Sequence, residues 1–377
     1  MAPVPTKKTW KEVNSERKTI RKKWKEKKLL KQLGMKKDVN SFEEALDKPE
    51  ESEITCEATC SNVAPVDKPE EAPALTEPPT VSIAVPGSIM ENAQSAELRT
   101  YLAGQIARAA CIYNVDEIIV FDDKGEGNDS KVKILVDKKK SWSCLQLARI
   151  LQYLECPQYL RKHIFPLHKD LQYAGLLNPL DAPHHLRQQD ESPFREGVVS
   201  DVPLRAGKGS YVNVGLLRDV VVDKVLTPSL RVTVKFLPQK EGSKKLTGLV
   251  VPPSQPKSEL NLYWGYTVRL ADSLSDVLTN SPYKDGYDLT IGTSEKGTHV
   301  EDVDVDSFSS YKHCLIVFGG LHGLEAALEA DEKLTVDDVS LLFDKYINTC
   351  PKQGSRVIRT EEAILISLAE LRRVLNI

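Results

Sequence analysis

Three apolar runs near the carboxyl end of this 377-residue chain each stop at a short loop that carries glycine, and this recurrence constrains the fold more than any other feature. The last run is FDKYINT (Phe343 to Thr349), followed by CPKQGSRVIR and by the apolar-periodic stretch EEAILISLAELRRVL, which Thr360 opens. The second is CLIVFGGLHGLEAAL (Cys314 to Leu328), where Gly319, Gly320 and Gly323 separate a strand from a helical pattern. The first is YDLTIGTSEKG (Tyr287 to Gly297), whose strand ends in Gly292, Thr293 and Ser294. Glycine permits close backbone approach, and a helix N-terminus adds unpaired N–H groups and a positive pole, so such loops suit a polar or anionic small molecule. Taken singly, each is an ordinary junction, with Thr360 as an N-cap and Glu361 and Glu362 complementing the helix dipole. Three together, leaving the carboxyl ends of parallel strands, predict one shared pocket, because open α/β sheets hold ligands there.

The spacing in VFGGLHGLE is G-G-x-x-G, not the G-x-G-x-x-G of a dinucleotide fold, and it falls late in the chain. Walker, HExxH, GxSxG and paired CxxC motifs do not occur. Dehydrogenase, NTPase, hydrolase and zinc chemistry therefore lose their usual sequence marks. Cysteines 56, 60, 111, 144, 156, 314 and 350 form no framework, and the sequence shows no secretory signal or transmembrane run, which predicts a reducing nuclear or cytosolic compartment. Cys350 lies in the last loop without a base fixed beside it and reads as a lining residue. The tandem His184-His185, in a proline-containing loop, reads as exposed turn rather than metal ligand, and no metal is expected.

A net charge of −3 conceals a sharp asymmetry. Residues 1–40 carry fourteen Lys/Arg against four Asp/Glu, whereas residues 41–79 hold eleven acidic groups against two basic ones, with six prolines. The first segment predicts a basic arm, disordered or partly helical, for RNA attachment or an import receptor. The second predicts an unfolded acidic linker, with order beginning near Thr80.

From there an α/β half over 80–190, an inserted domain over 195–258 and a second α/β half over 259–377 are expected. Val81, Ile83 and Val85 form a strand stopped at Pro86-Gly87; Ser95 caps a helix spacing Leu98, Leu102, Ile106, Ala109 and Tyr113; Val115 to Phe121 is a buried strand; SCLQLARILQYL is a helix ended by Pro157. This alternation predicts a mostly parallel sheet. Within the insertion, RVTVKF alternates Val232, Val234 and Phe236 with Arg231, Thr233 and Lys235 among several short strand-like runs, predicting a small OB-like barrel. Residues 195–257 carry eleven Lys/Arg against five acidic groups, so a basic groove for RNA is expected, with Arg205, Lys208, Arg231 and Lys235 on phosphates and Tyr211 stacking on a base.

The strings VPGSIMENAQSAELRTYLAGQIARA, ARILQYLECPQYLRK, AGLLNPLDAPHH, YWGYTVRLA, DGYDLTIGTSEKG, VFGGLHGLE and NTCPKQGSRVIRTEEAILISLA, spanning roughly Val81 to Leu375, resemble the SPOUT-class RNA methyltransferases, in the eukaryotic branch also named as a centromere protein. The resemblance implies a C-terminal trefoil knot, a homodimer, an S-adenosyl-L-methionine site and methyl transfer to uridine N(3) of large-subunit ribosomal RNA. It further implies a nuclear or nucleolar location, with cytoplasmic, spindle and kinetochore pools and partners as extensions; a non-catalytic RNA-binding or spindle and centromere protein that keeps the fold is the alternative. Matched to this sequence, donor contacts are expected from Thr293, Gly319, Gly320, Leu321, Asn348, Thr349, Gly354, Ser355, Ile358 and Thr360. A uridine nitrogen must lose its proton, and an arginine can stabilise the resulting anion. Arg99 is the first choice, with Asn92 in the preceding loop, across the expected dimer; Arg108, nine residues on, points the opposite way along a helix. Arg356 and Arg359 are expected to shape the donor loop or meet RNA.

Overall fold

Strands buried on both faces must be apolar nearly throughout, and the runs TVSIAVP, EIIVF and HCLIV meet that demand. In the computed structural model, which describes residues 78–125, 141–202, 209–238, 245–308 and 311–375, they form the centre of a six-stranded sheet. The basic arm, and the acidic linker up to residue 77, lie outside the described residues.

In chain order the elements that place the site are β1 (Thr80–Pro86), α1 (Ala96–Ile112), β2 (Glu117–Phe121), α2 (Trp142–Glu155) and α3 (Gln158–Ile164). Barrel strands β3 (Phe194–Val199), β4 (Ser210–Asn213), β5 (Val220–Val222), β6 (Arg231–Phe236) and β7 (Leu246–Val251) follow. Then come α4 (Gln255–Leu260), β8 (Thr267–Ala271), α5 (Leu274–Thr279), β9 (Leu289–His299), β10 (His313–Val317), α6 (Gly323–Glu329), β11 (Lys345–Asn348) and α7 (Thr360–Leu375). The sheet order is β11-β9-β10-β1-β2-β8, and all five pairings are parallel.

Alternation along β1 divides the core into two layers. Val81, Ile83 and Val85 pack with Ile106 of α1, Leu147 and Ile150 of α2 and Ile364 and Leu368 of α7, while Ala84 faces Leu274 of α5 and Leu324 of α6. Fully burying each large aliphatic chain contributes roughly 1.5–3 kcal/mol. Ser95 accepts the Leu98 amide at 3.3 Å, so the expected cap of α1 forms. Leu98, expected on the buried face, is exposed.

The inserted strands close into a barrel in the order β3-β4-β5-β7-β6, with β5 and β7 parallel. Its centre is almost all valine: Val199, Val212, Val214, Val220, Val222, Val232 and Val234. The outward face is not simply solvated. All of β3 is buried, including Arg195 on the same side as Val199, and Glu196 and Thr233, which alternation would turn toward water, are covered by the sheet domain.

That covering is an ion-pair junction. The Arg231 guanidinium donates to both Glu155 carboxylate oxygens, at 2.6 and 2.9 Å, and to Glu196 at 2.7 Å. Glu196 also accepts Thr233 Oγ1 at 2.5 Å and Trp264 Nε1 at 2.6 Å. Burial alone would raise the Glu155 pKa, but hydrogen bonds from His184 and Arg231 reverse this and hold it at about 2.

The tandem histidines depart from expectation here. His184 is 0% exposed and its Nε2 lies 2.9 Å from the Glu155 carbonyl oxygen, with His185 Nε2 on the same oxygen at 2.7 Å. The proline-containing loop folds inward because the carbonyl at the end of α2 lacks a helical partner. Burial and the charge of its neighbour push His185 down to about 4.

Candidate functional site

Residues 293–296 within β9 and the loops following β10 and β11 meet α7 around a cavity of about 330 Å³; the strand expected to end at Gly292, Thr293 and Ser294 runs on to His299. Eight of the ten residues expected to hold a ligand line it: Thr293, Gly319, Gly320, Leu321, Asn348, Thr349, Ile358 and Thr360, together with Cys350. Gly354 and Ser355 do not. Both are exposed, and a side chain at Gly354 would meet nothing within 4 Å. The residue that turns this loop is Lys352, in the left-handed region at φ +60°.

Glycine is required at the middle loop for two separate reasons. A Cβ on Gly319 would lie 2.7 Å from the Gly323 carbonyl carbon, so only a bare backbone fits between the strand end and α6. Gly323 itself takes φ +77°, which side chains adopt only with strain, and its N–H closes a turn onto the Gly320 carbonyl at 3.1 Å.

Polar side chains bind the loops to one another. Thr293 Oγ1 donates to the Val317 carbonyl at 3.0 Å, Asn348 Nδ2 to the Glu295 carbonyl at 2.9 Å, and Thr360 Oγ1 to the Gly319 carbonyl at 3.0 Å. The Thr349 and Ser367 hydroxyls stand 2.7 Å apart. Thr360 is thus a donor rather than the expected cap. Arg359 takes that place: its carbonyl accepts the Ala363 amide at 2.8 Å and its N–H donates to Glu362 at 3.0 Å.

Several lining residues escaped the sequence reading. Phe318, Ala363 and Ile366 supply apolar surface, Ser367 contributes its hydroxyl, and Lys296 and Glu325 stand at the rim, 2.8 Å apart. Burial opposes the Glu325 charge, but hydrogen bonds from Lys296 and from its own backbone N–H more than offset that, and its carboxyl lies below the ordinary range. Helical spacing from Thr360 through Ala363 to Ser367 could have signalled that the first two turns of α7 face the cavity.

Arg99 and Asn92 do not line the cavity within one chain. Arg99 Nε donates to the Ala93 carbonyl at 3.3 Å and its guanidinium lies 5.2 Å from the Trp142 ring centre; Asn92 is exposed at the end of the 3₁₀ turn Gly87–Asn92. Arg108 turns away and donates to the Leu180 carbonyl at 2.6 Å. A second cavity of about 270 Å³, lined by Tyr101, Arg108, Ile112, Glu361 and Leu365 among others, lies along the junction of α1 and α7.

Several cations in and beside the barrel already have partners within the chain. Arg231 is committed to Glu155 and Glu196 in the buried junction, whereas Lys235 pairs with Glu259 at 2.6 Å over the Phe194 ring in a partly exposed pair. Arg195 is buried, donating to the Val214 and Asp190 carbonyls at 3.2 and 2.9 Å, and Lys257 pairs with Asp116 at 2.5 Å. Tyr211 is half-buried on β4, Arg356 and Arg359 are exposed beside the cleft, and Arg205 and Lys208 lie outside the described residues. No group of three or more His, Cys, Asp or Glu capable of holding a metal occurs among the described residues.

Residues 80–371 match the model of a family described as "Putative RNA methyltransferase". The chain is 54% identical over 382 residues to a 28S rRNA (uridine-N(3))-methyltransferase of Drosophila melanogaster, covering 99% of this chain and 74% of that one. It is 58% identical over 311 residues to the Homo sapiens protein of the same name, covering 80% of this chain and 81% of the other, and 60% identical over 297 residues to that of Mus musculus, covering 78% and 76%.

Proposed function

This chain belongs to the putative RNA methyltransferase family, and we propose that it transfers a methyl group from S-adenosyl-L-methionine to N(3) of a uridine in large-subunit ribosomal RNA. The observation that carries the donor assignment is the cleft formed by the middle of β9 and the ends of β10 and β11. Its backbone approach at Gly319 excludes a side chain, its apolar walls suit a nucleoside, and its small hydroxyls suit polar edges. When bound, S-adenosyl-L-methionine supplies an electrophilic methyl group on sulfonium. The chain's part is to hold the loops in one arrangement through the Thr293, Asn348 and Thr360 bonds, and to bring the uridine nitrogen into line.

The finer reading is a SPOUT-class fold with a C-terminal trefoil knot, an OB-like barrel and a homodimer. The sheet order, and the tie from Thr360 at the start of α7 back to Gly319, support it. For the dimer, exposed Tyr101 and Ile112 on α1 and Leu365 on α7 offer an apolar face beside the cleft. In that arrangement Arg99 and Asn92 serve the partner copy's cleft, where an arginine stabilises the uridine anion. Nucleus and nucleolus are the proposed location, with spindle or kinetochore contacts as an extension.

Mapping methylated uridines in ribosomal RNA from cells with and without the protein tests the reaction; an unchanged map removes it. Calorimetry with S-adenosyl-L-methionine separates it from a non-catalytic scaffold, for which no binding at millimolar donor is expected. Arg99→Ala is expected to lower turnover by about two orders of magnitude with donor affinity retained; loss of folding instead would assign that side chain to structure.

A further inference from the structure

The cleft has unlike ends. At its floor lie Phe318 and Ser367, each 1% exposed, while at its rim the side chains of Lys296 and Glu325 are 68% and 34% exposed. A hydrogen count sharpens the floor. Thr349 and Ser367 each own one hydroxyl proton, and among the described residues the bond between them is the only one either hydroxyl makes. One proton is used in that bond, so the other is left for something in the cavity that both residues line. An acceptor that enters there meets an O–H already held in place.

The rim offers a different pattern. Lys296 and Glu325 present one positive and one negative charge 2.8 Å apart on two elements, β9 and α6. An exposed pair of this kind is worth little by itself, so its members can change partners at small cost. An α-amino acid group carries the complementary pair, a carboxylate and an ammonium.

We propose that the cleft fixes the direction of its nucleoside ligand: the Thr349–Ser367 hydroxyl pair donates to the purine at the floor, and Lys296 and Glu325 exchange partners with the carboxylate and ammonium of the amino-acid end at the rim. This rests on the donor reading above and adds to it which chemical group each end of the cleft selects. Ser367, Lys296 and Glu325 become specificity residues for the donor. The methyl group, between the two ends, is then held at a fixed depth.

Calorimetry on the full chain with two nucleosides tests this. S-adenosylhomocysteine has both ends, and methylthioadenosine lacks the amino-acid end. Ser367→Ala and Thr349→Val are each expected to weaken both ligands about five- to tenfold, the loss of one hydrogen bond, while Thr349→Ser, which keeps both protons, leaves them within about twofold. Lys296→Ala and Glu325→Gln are expected to weaken S-adenosylhomocysteine roughly three- to tenfold and methylthioadenosine not at all. Thermal unfolding of each variant identifies any that fail to fold, and Thr349→Ser keeps the floor testable if Ser367→Ala does. The proposal is overturned if the rim variants weaken both ligands equally or neither, or if Thr349→Val and Thr349→Ser bind alike. If the unaltered chain binds methylthioadenosine and S-adenosylhomocysteine but the variants do not discriminate, the donor reading stands and the direction falls; if it binds neither nucleoside, both fall.

Discussion

Two regions of this molecule are rich in polar side chains, and they use them in opposite ways. Around the cleft, Thr293, Thr349 and Thr360 spend one hydrogen bond each, and Asn348 two, on holding neighbouring segments together, and all four still face a cavity. In the barrel, Arg195 and Arg231 spend their charge on buried carbonyls or on Glu155 and Glu196, and nearer the surface Lys235 and, on α4, Lys257 pair with Glu259 and Asp116. A surplus of lysine and arginine in a segment therefore says little about its surface until the partners are known. The cleft was built from neighbours in the fold with short uncharged side chains, and such residues leave hydrogen-bonding capacity over.

The contrast can be broken most directly at the junction. Arg231→Ala leaves two buried carboxylates without their cation, and removing one member of a buried pair typically destabilises by about 3–5 kcal/mol. Urea denaturation should show that loss; a variant of unaltered stability but weaker RNA binding would return Arg231 to the RNA surface. Next in size, Gly319→Ala puts a Cβ against the backbone of Gly323, an overpacking of about 1–3 kcal/mol. It should reduce donor affinity about tenfold or more by calorimetry, with the barrel untouched.

Titration gives a smaller effect. His185 sits at about 4 in the fold against an ordinary value of 6.5, so the unfolded chain takes up the proton first and stability falls as pH drops through that interval. Glu155, at about 2 against 4.5, adds its own loss only as pH falls below about 4.5. A His185→Asn variant should show a flatter denaturation midpoint between pH 6.5 and 4.5. The smallest change is expected for Lys235→Ala, whose half-exposed pair with Glu259 is worth about 0–1 kcal/mol. RNA affinity at physiological salt should barely move, and a large drop in a filter-binding assay would show that the lysine leaves Glu259 for a phosphate.

What the sequence disclosed depended on the range of the interaction. β1, the Ser95 cap and the apolar face of α2 were legible because each is set by residues within a turn or two, and parallel strands announce themselves by apolar runs. The shared pocket was legible through its three glycine-bearing segments, although the first, expected as a loop, is part of β9. His184 was misplaced because its partner, Glu155, is 29 residues away, and Arg231 because the same carboxylate is 76 residues away. Ser367 was passed over because one serine in an apolar helical run has no local mark. Thr360 was read as an acceptor for its own helix, but the Gly319 carbonyl, 41 residues distant, claims its proton.

The place of β1 in the sheet has a consequence for how the chain is made. One neighbour, β2, is translated within forty residues, whereas the other, β10, pairs Thr80 with His313, 233 residues later. Until β10 leaves the ribosome, one side of the central strand has no hydrogen-bonding mate, and a nascent apolar edge of that kind invites pairing with other chains. Completion of the sheet should accordingly be a late and slow step of folding.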